Sequence, residues 1–459
     1  MESKSIKIHF LGAAGTVTGS KYLVETIDRK ILIDCGLFQG LKELRLKNWE
    51  TNPIDPSSID MVLLTHGHLD HTGYLPRLVK QGFKGFICGT NPTLHIAEII
   101  LKDSAKIQQQ EAERANEEGY TKHNPAEPLY DLKDVDRTLP LFRRVPQAQW
   151  IDLFEGIKVR FKYNGHILGA TFIELDLHGK RLVFSGDIGR TNDLLLFSPL
   201  KPKKADILIV ESTYGGSLHP SEVKSIPQIE KLVKETIERG GSLFIPTYAV
   251  ERAQLMMYIL WQLSKENRIP KVQMILDSPM GADVLELFYR TKDWHKLSGQ
   301  DCNEMCSYFT IVSSYTETLH LRKDDSPKIV IAGSGMLTGG RILNYLEVQA
   351  QNPKNTLLIL GYQAEGTRGR DLLEGQKEIK IYGQWVNVNM EIVEVKGLSA
   401  HADHDELINW MSELKNQPER IFIVHGENES AKALQLGIKG NFGWEAEIPT
   451  LNQIETIEL

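Results

Sequence analysis

Three histidines and one aspartate share six consecutive positions, His66-Gly-His68-Leu-Asp70-His71. They come directly after the apolar run Met61–Leu64, which predicts a short buried strand. Polar side chains beside a buried strand need partners, because burying them unpaired costs free energy. Imidazole nitrogen and carboxylate oxygen are ligands that Zn²⁺ accepts. The segment therefore predicts a metal site at a strand end, with His66 and His68 facing one ion and Asp70 and His71 a second; a solvated surface cluster is the alternative.

The length and composition describe a globular chain that stays inside the cell. Its 459 residues suffice for two domains, and 41% hydrophobic with 25% charged residues is ordinary for a globular protein. No apolar run reaches the roughly 20 residues that cross a bilayer, and a strand-like pattern begins too early for a signal peptide. Four cysteines are too few for a disulfide framework. We therefore expect a cytoplasmic protein with reduced thiols and no membrane partner.

The net charge of −7 argues against a protein that holds nucleic acid by charge alone. It leaves room for a narrow site in which bound metal supplies the positive charge.

The order of apolar patterns predicts two domains, one inserted in the other. The first part of the chain reads as short strands, with a helical insertion at Leu94–Glu118. After Tyr214 the pattern becomes an alternation of strands and helices, which implies a parallel sheet covered by helices. Strand, His-rich turn and helix patterns return near Met390. We therefore predict a first domain at 1–213 and 391–459, interrupted by an α/β domain at 214–390.

Three further residues complete a known pattern. Asp34 ends the strand-like run before Cys35, His166 lies in a Gly-rich loop, and Asp187 follows Phe184-Ser-Gly. With the H-x-H-x-D-H segment and in this order, they resemble the metallo-β-lactamase superfamily. The resemblance implies an αββα sandwich in which Asp34 braces the metal loop, His166 is the third histidine ligand of one ion and Asp187 bridges two ions.

Glu211, His401 and His425 narrow the resemblance to one branch. Glu211 and His425 each end an apolar strand-like run, and His401 stands in Ser-Ala-His-Ala-Asp. They are similar to the three motifs of the β-CASP branch, which includes the cleavage and polyadenylation endonuclease of eukaryotic messenger RNA. That branch carries an extra domain where the α/β block lies here. Members with a histidine at the last motif generally act on RNA, so His425 favours RNA over DNA.

The resemblance implies a complete site with two zinc ions per chain, although manganese suits the same ligands. The two ions would take the ligand sets His66, His68 and His166, and Asp70, His71 and His425, with Asp187 between them. A hydroxide held by both metals would attack phosphorus, with Asp70 and Asp187 in the catalytic group. His401, oriented by Glu211, would protonate the departing ribose oxygen. The expected products are a 3′-hydroxyl and a 5′-phosphate.

The inserted block holds the predicted contacts to the RNA backbone. Ser334, Thr338 and Arg341 lie in a Gly-rich segment that opens a helix, where backbone N–H groups favour phosphate. Tyr248 and Arg252 follow another strand, and Arg368 lies in a basic loop. Helix capping and ordinary packing are the alternatives for these residues.

The leading hypothesis is a zinc-dependent RNA endonuclease acting on single-stranded RNA, with 5′–3′ exonuclease activity as an addition. A small-molecule hydrolase on the same metals, a DNA nuclease and a non-enzymatic scaffold are the alternatives. The chain starts on the catalytic domain and ends soon after His425, and in this it resembles compact bacterial members of the β-CASP branch. A homodimer is the only further partner that we predict.

Overall fold

The computed structural model describes residues 5–119, 123–220, 222–361 and 363–458. The chain divides into two compact units. The first unit comprises Met1–Asn192, Ser198–Leu218 and His401–Leu459, and the second comprises Asp193–Phe197 and His219–Ala400. None of the helices in these described ranges is long and apolar enough to cross a membrane.

Two sheets form the centre of the first unit. The strands of one are β1 (Ser5–Phe10), β2 (Tyr22–Glu25), β3 (Lys30–Ile33), β4 (Met61–Leu63), β5 (Phe86–Gly89), β6 (Phe142–Arg144) and β21 (Ile454–Glu458). Those of the other are β7 (Ile151–Phe154), β8 (Ile157–Tyr163), β9 (Thr171–Leu177), β10 (Lys180–Phe184), β11 (Ile207–Glu211) and β20 (Arg420–Val424). The strand orders are β21-β1-β2-β3-β4-β5-β6 and β20-β11-β10-β9-β8-β7. One apolar core joins both sheets, with Phe10 and Ile33 from one and Phe161 and Phe184 from the other.

Helices cover the outer faces of both sheets. They are α1 (Lys42–Lys47), α2 (Leu69–Thr72), α3 (Leu75–Lys80), α4 (Asn91–Glu118), α5 (Leu132–Thr138), α13 (His404–Met411) and α14 (Asn428–Phe442). Leu78, Leu101 and Val135 of α3, α4 and α5 pack on the first sheet, and Trp410 and Leu434 of α13 and α14 pack on the second. The order of layers confirms the predicted αββα sandwich.

Helix α4 contains the predicted helical insertion. The Thr90 side chain accepts from the Thr93 N–H at its start, and Gly119, with φ of +66°, ends it in the left-handed region. Its buried residues lie mostly in the first half, such as Leu94 and Leu101, and the second half is largely exposed. The helix is therefore anchored by its first four turns.

The second unit is an α/β layer structure. Its main strands are β12 (Leu243–Thr247), β13 (Gln273–Asp277), β14 (Thr310–Val312), β15 (Lys328–Gly333), β16 (Thr356–Leu360) and β19 (Glu391–Val395), with a hairpin of β17 (Glu378–Ile381) and β18 (Gln384–Asn387). Its helices are α6 (Glu222–Glu238), α7 (Arg252–Lys265), α8 (Pro279–Arg290), α9 (Gly299–Ser307), α10 (Tyr315–Leu321), α11 (Ile342–Gln349) and α12 (Arg368–Leu373). The main sheet has the order β14-β13-β15-β12-β16-β19 and every pairing in it is parallel. This confirms the predicted parallel sheet.

The first border between the two units lies after Leu218, five residues beyond the predicted one, and the second border differs more. Strand β19 pairs in parallel with β16 along Thr356–Leu360, so it extends the sheet of the second unit. The second unit accordingly runs to Ala400, whereas the sequence pattern placed the change near residue 390. The apolar pattern of a strand does not say which sheet it joins.

Candidate metal centre

The strands of the first unit bring the predicted ligands to the carboxyl ends of both sheets. Asp34 follows β3, and the segment 66–71 follows β4 and runs into α2. Asp187 follows β10, Glu211 ends β11, and His425 follows β20. Because β10, β11 and β20 are parallel neighbours, their carboxyl ends lie side by side, where α/β folds commonly bind ligands.

One cluster is formed by His66, His68 and His166. Nε2 of His66 and Nε2 of His166 each lie 3.2 Å from Nδ1 of His68. The same two Nε2 atoms each lie 3.5 Å from Oδ2 of Asp187. Four ligand atoms therefore surround one point.

A second cluster is formed by Asp70, His71 and His425. Nε2 of His71 lies 3.1 Å from Nε2 of His425 and 3.3 Å from Oδ1 of Asp187. Oδ2 of Asp70 lies 3.4 Å from the His425 Nε2. Asp187 thus directs one carboxylate oxygen to each cluster, which is the arrangement of a ligand shared by two ions.

The spacing of these atoms fits zinc. Zn–N bonds of about 2.0–2.1 Å in tetrahedral geometry place neighbouring ligand atoms about 3.3 Å apart. The separations described above are 3.1–3.5 Å, and the His71 Nε2 to Asp70 Oδ2 distance is 3.8 Å. Buried imidazole nitrogens that face one another this closely need a cation or proton between them.

Burial and charge favour the forms that bind metal in the first cluster. Burial holds the pKa of His66 well below its ordinary value, and it lowers the pKa of His68 to about 4. Both rings are therefore neutral near pH 7. Burial opposes ionisation of Asp187, but His425 and His71 outweigh it and hold the pKa of Asp187 well below its ordinary value. Asp187 is accordingly a carboxylate.

The pKa of His71 is raised, in contrast to the lowered pKa of His66 and His68. Burial lowers it, but the carboxylates of Asp187 and Asp34 outweigh burial and hold it well above its ordinary value. Because a ligating imidazole must lose its proton, metal binding at His71 would release one.

Asp34 holds the metal loop through three hydrogen bonds. Its Oδ1 accepts from the Thr65 backbone N–H at 2.8 Å. Its Oδ2 accepts from the Thr65 hydroxyl at 2.8 Å and lies 2.7 Å from Nδ1 of His71. The Thr65 hydroxyl lies 3.1 Å from Nδ1 of His66. Sequence reasoning named Asp34 as the brace but missed Thr65, although it directly precedes the first histidine.

Asn164 is a second residue that sequence reasoning missed. Its side-chain Nδ2 donates to the backbone oxygens of Ser185 and Asp187, each at 2.6 Å. It therefore fixes the turn that carries the shared carboxylate. A lone asparagine in a loop carries no signal for such a role, so only the tertiary contacts reveal it.

His401 lies beside the clusters and forms a pair with Glu211. Its Nδ1 lies 3.3 Å from Oε1 of Glu211 and 3.9 Å from Oδ2 of Asp187. Oε1 of Glu211 also accepts from the Ile188 N–H at 2.6 Å. Burial lowers the pKa of His401, but Glu211 and Asp187 outweigh burial and raise it above its ordinary value. The pair can therefore hold a proton close to Asp187.

Comparison with known proteins agrees with this architecture. The metallo-β-lactamase superfamily matches residues 14–236, the β-CASP domain matches 253–372, and the Zn-dependent metallo-hydrolase RNA specificity domain matches 385–449. A Thermus thermophilus protein named Ribonuclease TTHA0252 is 34% identical over 430 residues, which cover 92% of this chain and 94% of that protein. This chain belongs to the β-CASP branch of the metallo-β-lactamase superfamily.

Other relatives cover a similar share of the chain. A Methanocaldococcus jannaschii protein named Transcription termination factor FttA is 31% identical, over 92% of this chain and 67% of that protein. The crystal structure of a protein of unknown function from Enterococcus faecalis V583 has a TM-score of 0.57 at 14% identity, covering 99% of this chain and all of that one. At that identity the likeness supports the fold alone.

In this β-CASP protein, the predicted RNA contacts belong to the second unit. Ser334 follows β15, and its Oγ lies 3.0 Å from Oγ1 of Thr338. Tyr248 follows β12, and its ring lies against Gly335, where an added Cβ would come within 2.9 Å of it. The Ser334 and Thr338 hydroxyls are hydrogen-bonded to each other and lie on the loop that opens α11.

The three predicted arginine contacts bond within their own unit. Arg341 donates to the Asp277 carboxylate at 3.2 Å and to the carbonyls of Ser313 and Ser314, each at 3.0 Å. The Arg368 guanidinium donates to the backbone oxygens of Lys380, Leu337 and Thr338 at 2.6, 2.9 and 3.3 Å. Arg252 is buried, with Nη1 3.3 Å from Oε2 of Glu251. Arg341 and Arg368 therefore connect the loops at the strand ends, whereas Arg252 pairs only with its neighbour Glu251 among these contacts.

Proposed function

We propose that this β-CASP protein is a zinc-dependent endoribonuclease that hydrolyses single-stranded RNA to a 3′-hydroxyl and a 5′-phosphate, with added 5′–3′ exonuclease activity. One observation carries the proposal. The two oxygens of Asp187 face two different clusters of ligand atoms, and the His401–Glu211 pair lies beside the same carboxylate. Two-metal phosphodiesterases need this combination of a shared carboxylate and a nearby proton donor.

The two ligand sets support a site for two ions in the first unit. His66, His68 and His166 would hold one, and the second cluster would hold the other, with Asp187 serving both. Zinc bound there would lower the pKa of a water nucleophile and offset negative charge on the reacting phosphate. Imidazole-rich sites of this kind suit zinc better than magnesium or calcium. Manganese remains the metal against which zinc is to be tested.

His401 would supply the proton for the leaving group. Its Nδ1 faces Glu211, which keeps the ring charged and oriented for transfer of a proton to the ribose oxygen that departs. The His401 side chain retains 18% of its exposure, so it is reachable from solvent, whereas Glu211 is fully buried. A buried carboxylate behind a partly exposed imidazole favours the imidazole as the group that meets substrate.

RNA is the substrate that the family relationship favours. A relative named Ribonuclease TTHA0252 aligns along almost the entire chain. The match to the RNA specificity domain, at 385–449, includes both His401 and His425. The histidine at position 425 agrees with the pattern of the RNA-acting members.

Within the second unit, we assign RNA contact to the hydroxyls of Ser334 and Thr338, with Tyr248 as a stacking surface. Backbone N–H groups and hydroxyls at a helix start are neutral donors that suit phosphate oxygens. Arg341, Arg368 and Arg252 would act indirectly, by holding these loops in place.

The test uses an RNA circle, which has no ends, beside a DNA circle of the same sequence. We expect the protein to linearise the RNA circle and leave the DNA circle intact, and a chelator or His68→Ala to abolish the cut. Metal analysis of each sample decides between zinc and manganese. End-labelling of the products, with and without phosphatase, shows which end carries the phosphate.

Two outcomes would overturn the proposal. If both circles stayed intact while the protein held two zinc ions, the endonuclease assignment would fail, and linear RNA and small esters would be tested next. If the DNA circle were cut as fast as the RNA circle, the assignment to RNA would fail.

A further inference from the structure

We propose that the Thr213 hydroxyl sets the tautomer of His425 and thereby controls how tightly the second cluster holds its metal. The inference rests on the proposed two-zinc site and deepens it. It assigns a positioning role to a residue that supplies no ligand atom.

The contacts of the Thr213 hydroxyl allow an assignment of protons that suits a metal ligand. Its Oγ1 donates to the backbone oxygen of His425 at 3.2 Å and lies 3.2 Å from Nδ1 of the same residue. A hydroxyl has a single proton, so when it is given to the carbonyl, Oγ1 can only accept from Nδ1–H. The ring then carries its proton on Nδ1 and presents a bare Nε2.

The bare nitrogen faces the metal position. Nε2 of His425 lies 3.1 Å from Nε2 of His71 and 3.4 Å from Oδ2 of Asp70. The other potential acceptor for Nδ1–H is Oδ1 of Asp187, which lies farther away, at 3.5 Å. Because ligating histidines generally use their second nitrogen to fix ring and tautomer, Thr213 is the residue placed to do so here.

The backbone of His425 explains why the ring needs this support. His425 has a φ of +50°, in the left-handed region that non-glycine residues seldom occupy. Its N–H donates to the Ala13 oxygen at 2.7 Å, and its carbonyl accepts from the Ser212 N–H at 3.2 Å as well as from the Thr213 hydroxyl. Thr213 therefore bonds both the backbone and the ring of this strained residue.

Thr213 also connects the metal ligand to the proton-donating pair. Its backbone N–H donates to Oε2 of Glu211 at 3.2 Å, while Oε1 of Glu211 faces His401. Thr213 is itself buried, with 5% of its surface exposed. A change at its hydroxyl should therefore act on His425, whereas its backbone bond to Glu211 remains.

Thr65 provides a natural comparison in the first cluster. Its hydroxyl lies 3.1 Å from Nδ1 of His66, but it donates its proton to the Asp34 carboxylate. Thr213 donates to a neutral carbonyl instead. The two threonines therefore each contact one histidine ligand, and they differ in the charge of the group that accepts their proton.

The experiment measures zinc per chain against graded chelator concentrations for wild type, Thr213→Val and Thr213→Ser. Thr213→Val keeps the shape of the side chain but cannot accept from Nδ1–H. We expect one zinc to leave Thr213→Val at a chelator concentration about 10–100-fold lower than in wild type. The concentration that removes the other zinc should stay the same. Thr213→Ser keeps the hydroxyl and should stay within about threefold of wild type.

The matched variants are Thr65→Val and Thr65→Ser. Thr65→Val should weaken binding of the ion that His66 holds, and Thr65→Ser should preserve that binding. Thr213→Ala repeats the loss without introducing a β-branched side chain, and the melting temperature of the metal-free proteins shows that each variant folds.

The role of Thr213 and the presence of two zinc ions are tested by different outcomes. Equal zinc affinity of Thr213→Val and wild type would overturn the inference alone, as would a serine variant as weak as the valine variant, because packing would then be the cause. A wild type that binds fewer than two ions would overturn the two-zinc proposal, and the inference with it.

Discussion

The ends of the sheets in the two units carry similar polar residues and use them in opposite ways. In the first unit, buried and partly buried side chains from four separate segments direct their lone pairs at two common points. In the second unit, Arg341 and Arg368 direct their donors at carbonyls and a carboxylate of their own loops. The contrast shows that polar side chains at strand ends that converge on one point indicate a metal site, whereas the two arginines bonded within their own loops indicate a structural role.

The largest effect should come from the converging residues. We expect His68→Ala to lose zinc from the first cluster. RNA cleavage should slow by about 10³-fold or more, because the metal stabilises the transition state by several kcal/mol. Initial rates and metal content of the same preparation provide the measurement. Arg368→Ala, as the counterpart from the second unit, should keep both ions. A His68→Ala protein with the wild-type zinc content and rate would contradict the assignment of a metal site to the converging residues of the first unit.

His401→Ala should come next, with a fall of about 10²–10⁴-fold in rate and unchanged zinc content. Because its carboxylate neighbours raise the pKa of His401, the wild-type ring stays charged below that pKa and loses its proton as pH rises through it. The rate should therefore fall at alkaline pH in wild type, and this fall should vanish in the variant. Glu211→Gln should move the fall to lower pH, and an unchanged profile would contradict the assigned pair.

Arg341→Ala should reveal a stability role in the second unit. Asp277 is fully buried, and its charge would lose the Arg341 guanidinium, so we expect the free energy of unfolding to fall by about 1–3 kcal/mol. Arg290→Ala is the control, because the Arg290–Glu286 pair is exposed and should change stability by less than about 0.5 kcal/mol. Denaturant unfolding compares the two. Equal stability of both variants would contradict the stability role assigned to Arg341.

The smallest effect should come from the two hydroxyls assigned to RNA. Ser334→Ala and Thr338→Val should each raise KM by up to about fivefold and leave kcat unchanged, since a neutral contact to phosphate contributes about 1 kcal/mol. Steady-state kinetics on a short single-stranded RNA measures the split. A fall in kcat with constant KM would show that these hydroxyls act in the chemical step and not in binding. The second unit would then contribute to catalysis as the first does.

Much of the architecture could be read from periodicity. The inserted parallel sheet and the helical insertion at Leu94–Glu118 follow from apolar patterns, whereas the αββα sandwich was implied by the family resemblance. Helix α14 and strand β21 were not predicted, although Ala431, Leu434 and Ile438 of α14 have helical spacing and are buried. Strand β21 has a short alternation and becomes recognisable by its pairing with β1.

The ligands in the segment 66–71 could be predicted because their chemistry is local: a dense group of imidazoles and carboxylates after a buried strand has few uses other than metal binding. The sequence by itself determined these ligands, and its resemblance to a known family added His166, Asp187 and His425. What surrounds them was decided by tertiary structure. His71 and His425 are 354 positions apart, and their facing nitrogens depend on where β4 and β20 end. The roles of Thr65, Asn164 and Thr213 follow from the same folding, because a hydroxyl or an amide gains direction only from the partners that the fold places beside it.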